Sequence, residues 1–271
     1  MNGAPKLTDR KALALHRIRA AKAPVTFLHD AIADEVKERL NEVNKTFTSP
    51  LLIGNVTPPL AAIFPDAPQI DDTPELTKTS GHDLTIHCFG IHWADDPIGQ
   101  MVQSRLALKP DGLFLGVMFG GASLQELRIC LAEAEAKLTG GLSPRVLPMA
   151  DLRDLGGLLQ RAGLALPVAD ARSFTVRYPS LAKLVHDLRG MGETNALATR
   201  NLKPVSRQLF RETEAIYRKN FNDDGFLVAT FDIVFLTGWA PSEIQQKPLR
   251  PGSAQSRLSE ALGVPEKSLK R

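Results

Sequence analysis

Residues 113–141 have the sequence "LFLGVMFGGASLQELRICLAEAEAKLTGG", which predicts one strand, one tight turn and one helix. The apolar run 113–119 is typical of a strand buried on both faces of a parallel sheet. Ser123, followed three residues later by Glu126, predicts a capping box at the start of the helix. The glycine pair 140–141 predicts its end. A strand that leads directly into a helix is the repeating unit of α/β folds.

The rest of the chain repeats this alternation of strand and helix. Short apolar runs predict strands, and apolar residues at helical spacing predict helices. Alternating strands and helices predict a doubly wound α/β fold, with a mostly parallel sheet and an antiparallel last strand beside an edge. The predicted helices are 8–22, 25–42, 60–64, 97–108, 123–139, 151–162, 180–190 and 202–220. The predicted strands are 50–54, one beginning at 83, 113–119, two short ones within 164–178, and 226–240.

We expect three parts along the chain. Residues 1–48 form an N-terminal helical segment, 49–240 an α/β domain with a helical insert near 179–220, and 241–271 a polar tail. The basic N-terminus predicts a helix that docks on the domain. An organellar transit peptide is the alternative, against which Asp9 argues because such peptides are poor in acids.

Composition excludes several classes of protein. The chain has 33 basic and 30 acidic residues and a net charge of +3, which does not favour a nucleic-acid binder. Two cysteines cannot build a disulfide framework and favour a reducing compartment. We therefore expect a cytoplasmic protein, with the mitochondrial matrix as the alternative. We expect no metal site and no integral membrane segment.

Candidate site residues follow the predicted strands. In parallel sheets ligands bind beyond the carboxyl ends of the strands, which places 54–58, 89–96 and 119–123 around one cleft. His92 and Trp93 are candidates for the wall of a site, with a core-filling Trp as the alternative. Glu193 is a candidate acid, base or substrate anchor, with a solvated turn as the alternative.

Several segments together resemble a known family. They are "LTDRKALALHRIRAA" (7–21), "IHWADDP" (91–97), "LALKPDGLFLGVMFGGASLQELR" (106–128), "GGLSPRVLPMADLRDLGGLLQRAG" (140–163), "DLRGMGETNAL" (187–197) and "QQKPLRPGSA" (245–254), in this order. They resemble class I S-adenosylmethionine-dependent methyltransferase-like proteins, the family that includes mitochondrial complex I assembly factor 5. The biotin-pathway malonyl-carrier-protein methyltransferase is a more distant relative. The resemblance implies S-adenosylmethionine as cofactor and a protein partner such as a respiratory complex I subunit.

The chain departs from the family pattern at the cofactor loop. The family has a strand ending in "ALDLGCGxG", where this chain has "PLLIGNVTP" (50–58). Gly54 is retained, but Leu52 replaces the aspartate, and Val56 and Pro58 replace two glycines that let the backbone approach the cofactor. The resemblance also implies that one strand-helix unit, with its ribose-binding acid, is missing. In "MFGGASLQELR", Ala122 replaces an aspartate.

Cofactor-binding residues are carried over from the resemblance where the chain matches it. They are Gly54 in the cofactor loop, Asp71 and Asp72, which would face the adenosine, and His92 and Trp93, which would form the pocket wall; catalytic residues are not assigned.

The eroded loop and the intact later motifs predict a degenerate family member, a pseudoenzyme that binds S-adenosylmethionine weakly or not at all. It would act on or bind a protein partner through regions 143–154 and 189–195. One alternative is an active methyltransferase or protein-arginine-modifying enzyme with an atypical loop. Another is an enzyme of a different class that reuses the pocket.

Overall fold

The computed structural model describes residues 6–245, which form a seven-stranded sheet with helices on both faces. The predicted tail beyond Gln245 and the first five residues lie outside the described residues. The elements are α1 (Arg10–Lys22), α2 (Phe27–Glu42), β1 (Pro50–Gly54), α3 (Pro58–Ala61), β2 (Gln69–Ile70), β3 (His82–Cys88), a 3-10 turn (Ile91–Trp93), α4 (Pro97–Leu106), β4 (Leu108–Gly120), α5 (Gln125–Thr139), α6 (Leu152–Arg161), β5 (Ala165–Tyr178), α7 (Leu181–Met191), α8 (Arg207–Asn220), β6 (Asn222–Asp223) and β7 (Phe226–Trp239).

The sheet confirms the predicted fold class. Its strand order is β2-β1-β3-β4-β7-β5, and β6 pairs with β7. The pairs β1–β2, β1–β3 and β3–β4 are parallel, whereas β7 is antiparallel to β4 and to β5. The last strand is thus antiparallel, but it lies inside the sheet, and β5 forms the edge. The expected missing unit fits this order, because the two-residue strand β2 alone lies beyond β1.

Apolar side chains on both faces of the central strands hold the helices in place. On one face Ile32 and Val36 of α2 pack in the same cluster as Leu52 of β1 and Ile86 of β3. On the other face, α4 and α6 pack on apolar residues of β4 and β7. Each fully buried side chain of this size contributes about 1.5–3 kcal/mol. Because both faces are covered, a ligand can reach the sheet only at a strand end or an edge.

The predicted capping box at the start of α5 is wrong. The helix begins at Gln125, after Leu124 in a left-handed conformation (φ +55°), and no side chain caps it. Ser123 instead exchanges hydrogen bonds with Asp232 of β7, accepting from its N–H and donating to its carbonyl at 2.9 Å each. Glu126 accepts from the hydroxyl and the N–H of Thr230. Both side chains bind β7 because α5 lies against that strand.

Other boundaries also differ from the predictions. The stretch predicted as two short strands is the single strand β5, with an irregularity between Ala165 and Val168. Helix α8 begins at Arg207 rather than at residue 202, with Ser206 as its N-cap. Helix α3 begins at Pro58 and ends at Ala61, before the predicted span 60–64 is complete. Of the helices between residues 6 and 245, none has the length and apolarity needed to cross a bilayer.

Candidate functional site

Two neighbouring places at the carboxyl ends of the parallel strands contain the predicted site residues. The first is the strand-end groove, which we define by Gly54, Asp72, Phe89 and Gly90. Gly54 ends β1 with φ +94°, and Gly90 follows β3. A Cβ atom placed on Gly90 would lie 2.5 Å from Asp72 Oδ2, so this glycine leaves room for the carboxylate. Asp71 is exposed, whereas Asp72 is 4% exposed and lies in the groove.

Two arginines of α1 occupy the groove together with Asp72. Arg17 Nη1 donates to Asp72 Oδ1 at 2.5 Å, and Arg17 Nη2 donates to Oδ2 at 3.2 Å. Arg10 Nη1 donates to Oδ2 at 3.3 Å, and Arg10 Nη2 donates to the Asp72 carbonyl at 2.8 Å. Arg17 Nη2 also donates to the carbonyl of Phe89 at 3.0 Å, next to the end of β3. The carboxylate predicted to face adenosine is therefore already bound on both oxygens.

The charge state of Asp72 follows from these contacts. Burial raises the pKa of its carboxyl, because a charge loses hydration in the protein interior. The charge and the hydrogen bonds of Arg17 act in the opposite direction and outweigh burial, so the pKa of Asp72 lies below its ordinary value. The group is thus an ionised carboxylate at neutral pH, neutralised from within the chain.

The segment before α1 holds this helix across the strand ends. Thr8 Oγ1 donates to the Trp93 carbonyl at 2.7 Å, and the N–H groups of Leu7 and Thr8 donate to Asp95 Oδ1. Asp9 accepts from the N–H of Ala12 and so caps the helix. Its other carboxylate oxygen accepts from Arg200 Nη2 at 2.8 Å. Helix α1 is therefore fixed at its start by contacts with the 93–95 turn and with the loop after α7.

The second place contains His92, Trp93 and Glu193. Trp93 Nε1 donates to Glu193 Oε2 at 2.8 Å, and His92 Nε2 lies 3.1 Å from the same oxygen. The ring of His92 packs edge-on against Phe119, with 5.5 Å between ring centroids. Trp93 is 2% exposed and packs among Leu13, Leu147, Ala196 and Leu197, so it fills core space as well as lining the site. Sequence patterns could not show that Glu193 is enclosed, because its contacts come from residues about 100 positions away.

Glu193 is buried yet incompletely bound. Burial raises the pKa of its carboxyl. The charge and hydrogen bond of His92, followed by the charge of Arg17, lower the pKa and together outweigh burial, so the pKa of Glu193 lies below its ordinary value. Its Oε1 atom has no hydrogen-bond partner among residues 6–245. A buried carboxylate oxygen without a donor costs free energy. A ligand that donates an N–H group to Oε1 would remove this free-energy cost.

A cavity of about 320 Å³ lies beside Glu193. Its walls come from the end of β4, from α5 and α7, from the loops after α5 and α7, and from the start of α8. The apolar lining includes Trp93, Phe119, Leu124, Leu131, Val185, Leu188, Val205 and Phe210. The polar lining includes Arg145, Arg189, Glu193, Thr194, Asn195, Arg200 and Asn201. We call this space the apolar cavity. Both regions predicted to hold a partner, 143–154 and 189–195, contribute to its walls.

The loop on one side of the apolar cavity is tied to α5 through Glu135. Its carboxylate accepts from Arg145 Nη2 at 2.6 Å and Arg145 Nε at 3.1 Å. It also accepts from the hydroxyl and the N–H of Ser143, at 2.6 and 2.9 Å. The hydrogen bonds from Arg145 are the main reason that the pKa of Glu135 is lowered to about 2. Arg145 is therefore held in place by Glu135 rather than free to bind a ligand.

We expect the acid sensitivity of the fold to decrease when Glu135 is replaced by Gln. A carboxyl with a depressed pKa in the folded state stabilises the fold above its unfolded pKa, near 4.5, and loses this contribution as pH falls toward about 2. Between pH 5 and pH 3 the free energy of unfolding, measured in urea, should therefore fall less in Glu135→Gln than in the wild-type chain. Glu133→Gln, an exposed change on the same helix, is the control and should keep the wild-type slope. Equal slopes in all three proteins would contradict the role of Glu135.

The predicted cofactor residues thus fall into two groups. Gly54 and Asp72 meet in the strand-end groove, Asp71 lies exposed beside it, and His92 and Trp93 meet Glu193 beside the apolar cavity. The groups are linked at the end of α7, where Asn55 Nδ2 donates to the Met191 carbonyl at 3.4 Å. Sequence reasoning missed the role of Arg17 because this residue lies 55 positions from its partner Asp72.

Comparisons with known proteins support the resemblance found in the sequence. The chain is 37% identical to "Arginine-hydroxylase NDUFAF5, mitochondrial" of Dictyostelium discoideum over 197 residues, 72% of this chain and 45% of that protein. Its identity to the human protein of the same name is 38%, over 68% of this chain and 53% of that protein. It is 30% identical to the malonyl-[acyl-carrier protein] O-methyltransferase of Laribacter hongkongensis, over 71% of this chain and 64% of that protein. The chain thus spans about half the length of the NDUFAF5 proteins it matches.

Solved structures align with the chain only at low sequence identity. The [4+2]-cyclase SpnF aligns with 89% of this chain and 99% of its own, at 13% identity and a TM-score of 0.48. No family model matches the chain. At this level of similarity the alignment carries no functional weight, and the strand order of the sheet is the stronger indication of the fold.

The predicted cytoplasmic location is wrong by comparison with these relatives. Proteins of five organisms, at 37–39% identity, carry the name mitochondrial. Both cysteines are buried and free, which does not distinguish the cytoplasm from the mitochondrial interior.

Proposed function

The chain is a methyltransferase-family relative of the NDUFAF5 arginine-hydroxylases and the malonyl-[acyl-carrier protein] O-methyltransferases, and from that premise we propose its function. It is a degenerate member that binds a protein partner and binds S-adenosylmethionine weakly or not at all. The observation that carries this proposal is the ion pair of Arg17 with Asp72 in the strand-end groove.

The contacts in the groove oppose cofactor binding. A ribose or adenine that used Asp72 would have to displace Arg17 from a carboxylate that is 4% exposed. Removing one partner of a buried ion pair costs about 3–5 kcal/mol, because the other charge is left uncompensated. Gly54 does not offset this cost, since the space beside it already contains the Cys88 carbonyl oxygen, 2.5 Å from an added Cβ, and the Asp72 Cβ, 3.6 Å away. The Val56 side chain and the missing N–H of Pro58 act in the same direction.

The apolar cavity is the place we assign to the partner. Cavities of this size accept one or two side chains or a small ligand. Its walls combine the two segments predicted to hold a partner, 143–154 and 189–195, with the buried carboxylate of Glu193. By resemblance, the partner is a respiratory complex I subunit or assembly intermediate. The names of the relatives favour a mitochondrial location.

The test is a calorimetric titration of the purified chain with S-adenosylmethionine and with S-adenosylhomocysteine. We expect no saturable binding up to about 1 mM ligand, which corresponds to less than about 4 kcal/mol of binding free energy. A thermal-shift series with the same ligands should leave the unfolding midpoint unchanged. Saturable binding at micromolar concentration would refute the degenerate groove.

A second candidate is a protein-arginine-modifying enzyme, and Glu193 is the observation that favours it. A guanidinium entering the apolar cavity could donate to the unpartnered Oε1, and relatives are named arginine-hydroxylases. In this case Glu193→Gln should weaken binding of arginine-containing peptides at least about tenfold, since hydrogen bonds to charged groups contribute about 1.5–3 kcal/mol. Mass spectrometry of such peptides after incubation with the chain and S-adenosylmethionine would detect an arginine methylated from the sulfonium, with S-adenosylhomocysteine as the other product. An unmodified peptide and unchanged binding in Glu193→Gln would exclude this candidate.

A further inference from the structure

The mouth of the apolar cavity contains a strong excess of positive charge. Residues 189–211, which supply much of its lining, include five basic residues and one acid, so five minus one gives +4 in a chain whose net charge is +3. The acid is Glu193, which is buried against His92 and Trp93. The charged side chains that this segment exposes to solvent are therefore all basic.

Most of these basic side chains are available to a partner. Arg200 is paired with Asp9. The other four are exposed and have no carboxylate partner within the described part of the chain. We call these four the basic rim: Arg189, Lys203, Arg207 and Arg211. Arg189 lines the apolar cavity, and Arg207 and Arg211 flank the cavity residue Phe210 on α8. Arg207 and Arg211 are one turn apart on α8, where like charges repel one another, and an anionic partner removes that repulsion.

Exposed apolar groups belong to the same segment as the basic rim. Val205 lines the cavity and is 52% exposed, and Leu202 beside it is 79% exposed. Behind them the cavity offers about 320 Å³ lined by Leu131, Val185 and other apolar residues. A deep apolar pocket surrounded by charge is the arrangement in which a partner inserts one anchoring side chain and pairs its charges at the margin.

We propose that the mouth of the apolar cavity docks an acidic segment of a protein partner. The segment inserts an apolar side chain between Val185 and Val205, and its carboxylates pair with the basic rim. This inference rests on the proposed function, because it specifies the chemistry of the protein partner assigned there.

An anionic membrane would also match the charge, but the apolar surface does not fit it. A helix that lies in a bilayer interface needs an exposed apolar face. The apolar face of α8 is instead buried, with Leu209, Ile216 and Tyr217 in the core. Within residues 189–211 the exposed large apolar side chains are Leu202 and the cavity residue Val205, which fits an inserted side chain better than a flat lipid surface.

The experiment uses two pools of 12-residue peptides and the full chain. In the acidic pool four central positions vary among Leu, Met, Phe and Val and are flanked by glutamates; in the matched pool the flanks are glutamines. Fluorescence anisotropy at low and high salt measures binding of each labelled pool. We expect the acidic pool to bind at least about tenfold more tightly, and the difference to disappear near 0.5 M salt, where exposed charges are screened.

Variants locate the binding surface. Arg207→Gln combined with Arg211→Gln should abolish most of the preference for acidic flanks. Val185→Phe, which fills the cavity, should weaken both pools. The control is Lys78→Gln with Arg161→Gln, which removes two exposed charges, one from the loop before β3 and one from α6, neither of which lines the cavity. It should leave binding unchanged. Thermal unfolding of each variant checks that it is folded.

Each outcome either supports or overturns the inference. Equal binding of the two pools, no binding of either, or an unchanged preference in the Arg207, Arg211 variant overturns it. So does binding to vesicles of phosphatidylserine and phosphatidylcholine when neither pool binds, because the rim then serves a membrane. The titration with S-adenosylmethionine is made on the same protein. Cofactor binding together with acidic-pool binding would refute the proposed degenerate groove while leaving the docking surface intact.

Discussion

Replacing Arg17 with alanine is expected to lower the free energy of unfolding by about 3 kcal/mol or more. The change removes two hydrogen bonds from Asp72, a residue with 4% exposure, and one from the carbonyl of Phe89. Arg10 remains near Asp72, but its contact with the carboxylate is 3.3 Å long and does not replace the lost pair. Urea unfolding at pH 7, followed by circular dichroism, measures the loss.

The control for Arg17 is an exposed ion pair in the same chain. Lys37 and Asp34 are paired on the surface of α2, with side chains 51% and 72% exposed. Lys37→Ala should cost well under about 1 kcal/mol, because water solvates the remaining charge. The double variant Arg17→Met with Asp72→Asn should recover much of the loss, since neither partner is left as a buried charge. Equal effects of Arg17→Ala and Lys37→Ala would mean that water fills the strand-end groove, and the proposed function would lose its main support.

Replacing Gly54 with alanine is expected to be similarly costly, by at least about 3 kcal/mol. Two effects combine at this position. The backbone has φ +94°, which side chains rarely adopt. An added Cβ would also lie 2.5 Å from the carbonyl oxygen of Cys88 on the neighbouring strand β3, a backbone atom that cannot move without disturbing the sheet. The same carbonyl accepts from the N–H of Asn55 at 2.8 Å, which fixes it further.

A second glycine separates these two effects. Gly140 ends α5 with φ +69°, and no atom lies within 4 Å of an added Cβ. Gly140→Ala should therefore show the conformational cost alone, about 1 kcal/mol. If Gly54→Ala is no worse than Gly140→Ala, the contact with Cys88 is not a constraint. Gly54 would then be better explained by the approach of a ligand than by packing between strands. Urea unfolding of both variants decides between these explanations.

Local patterns determined the fold class and most of the helices and strands. Apolar runs such as 50–54 and 113–119 are intrinsic signals of buried strands, and the periodic residues of α2 and α5 indicate helices whatever they pack against. Where an alternative partner existed, local signals failed. Ser123 and Glu126 had the spacing of a capping box, but β7 offered them the backbone groups of Asp232 and Thr230. In the same way, pairing with β7 keeps residues 165–178 in one strand that the sequence divided into two.

For the site, the sequence by itself determined which residues follow the strands, and the family resemblance marked the positions where the loop departs from the family pattern. Those are properties of single positions, and Gly54, Val56 and Pro58 show them without a structure. What occupies the strand ends was decided only by tertiary structure. Arg17 meets Asp72 across 55 residues, and Glu193 meets Trp93 across 100. The physical reason is that an ion pair or a buried carboxylate depends on distance and exclusion of water. Both quantities are set by how α1 and the end of α7 pack on the sheet, and no local sequence pattern encodes that packing.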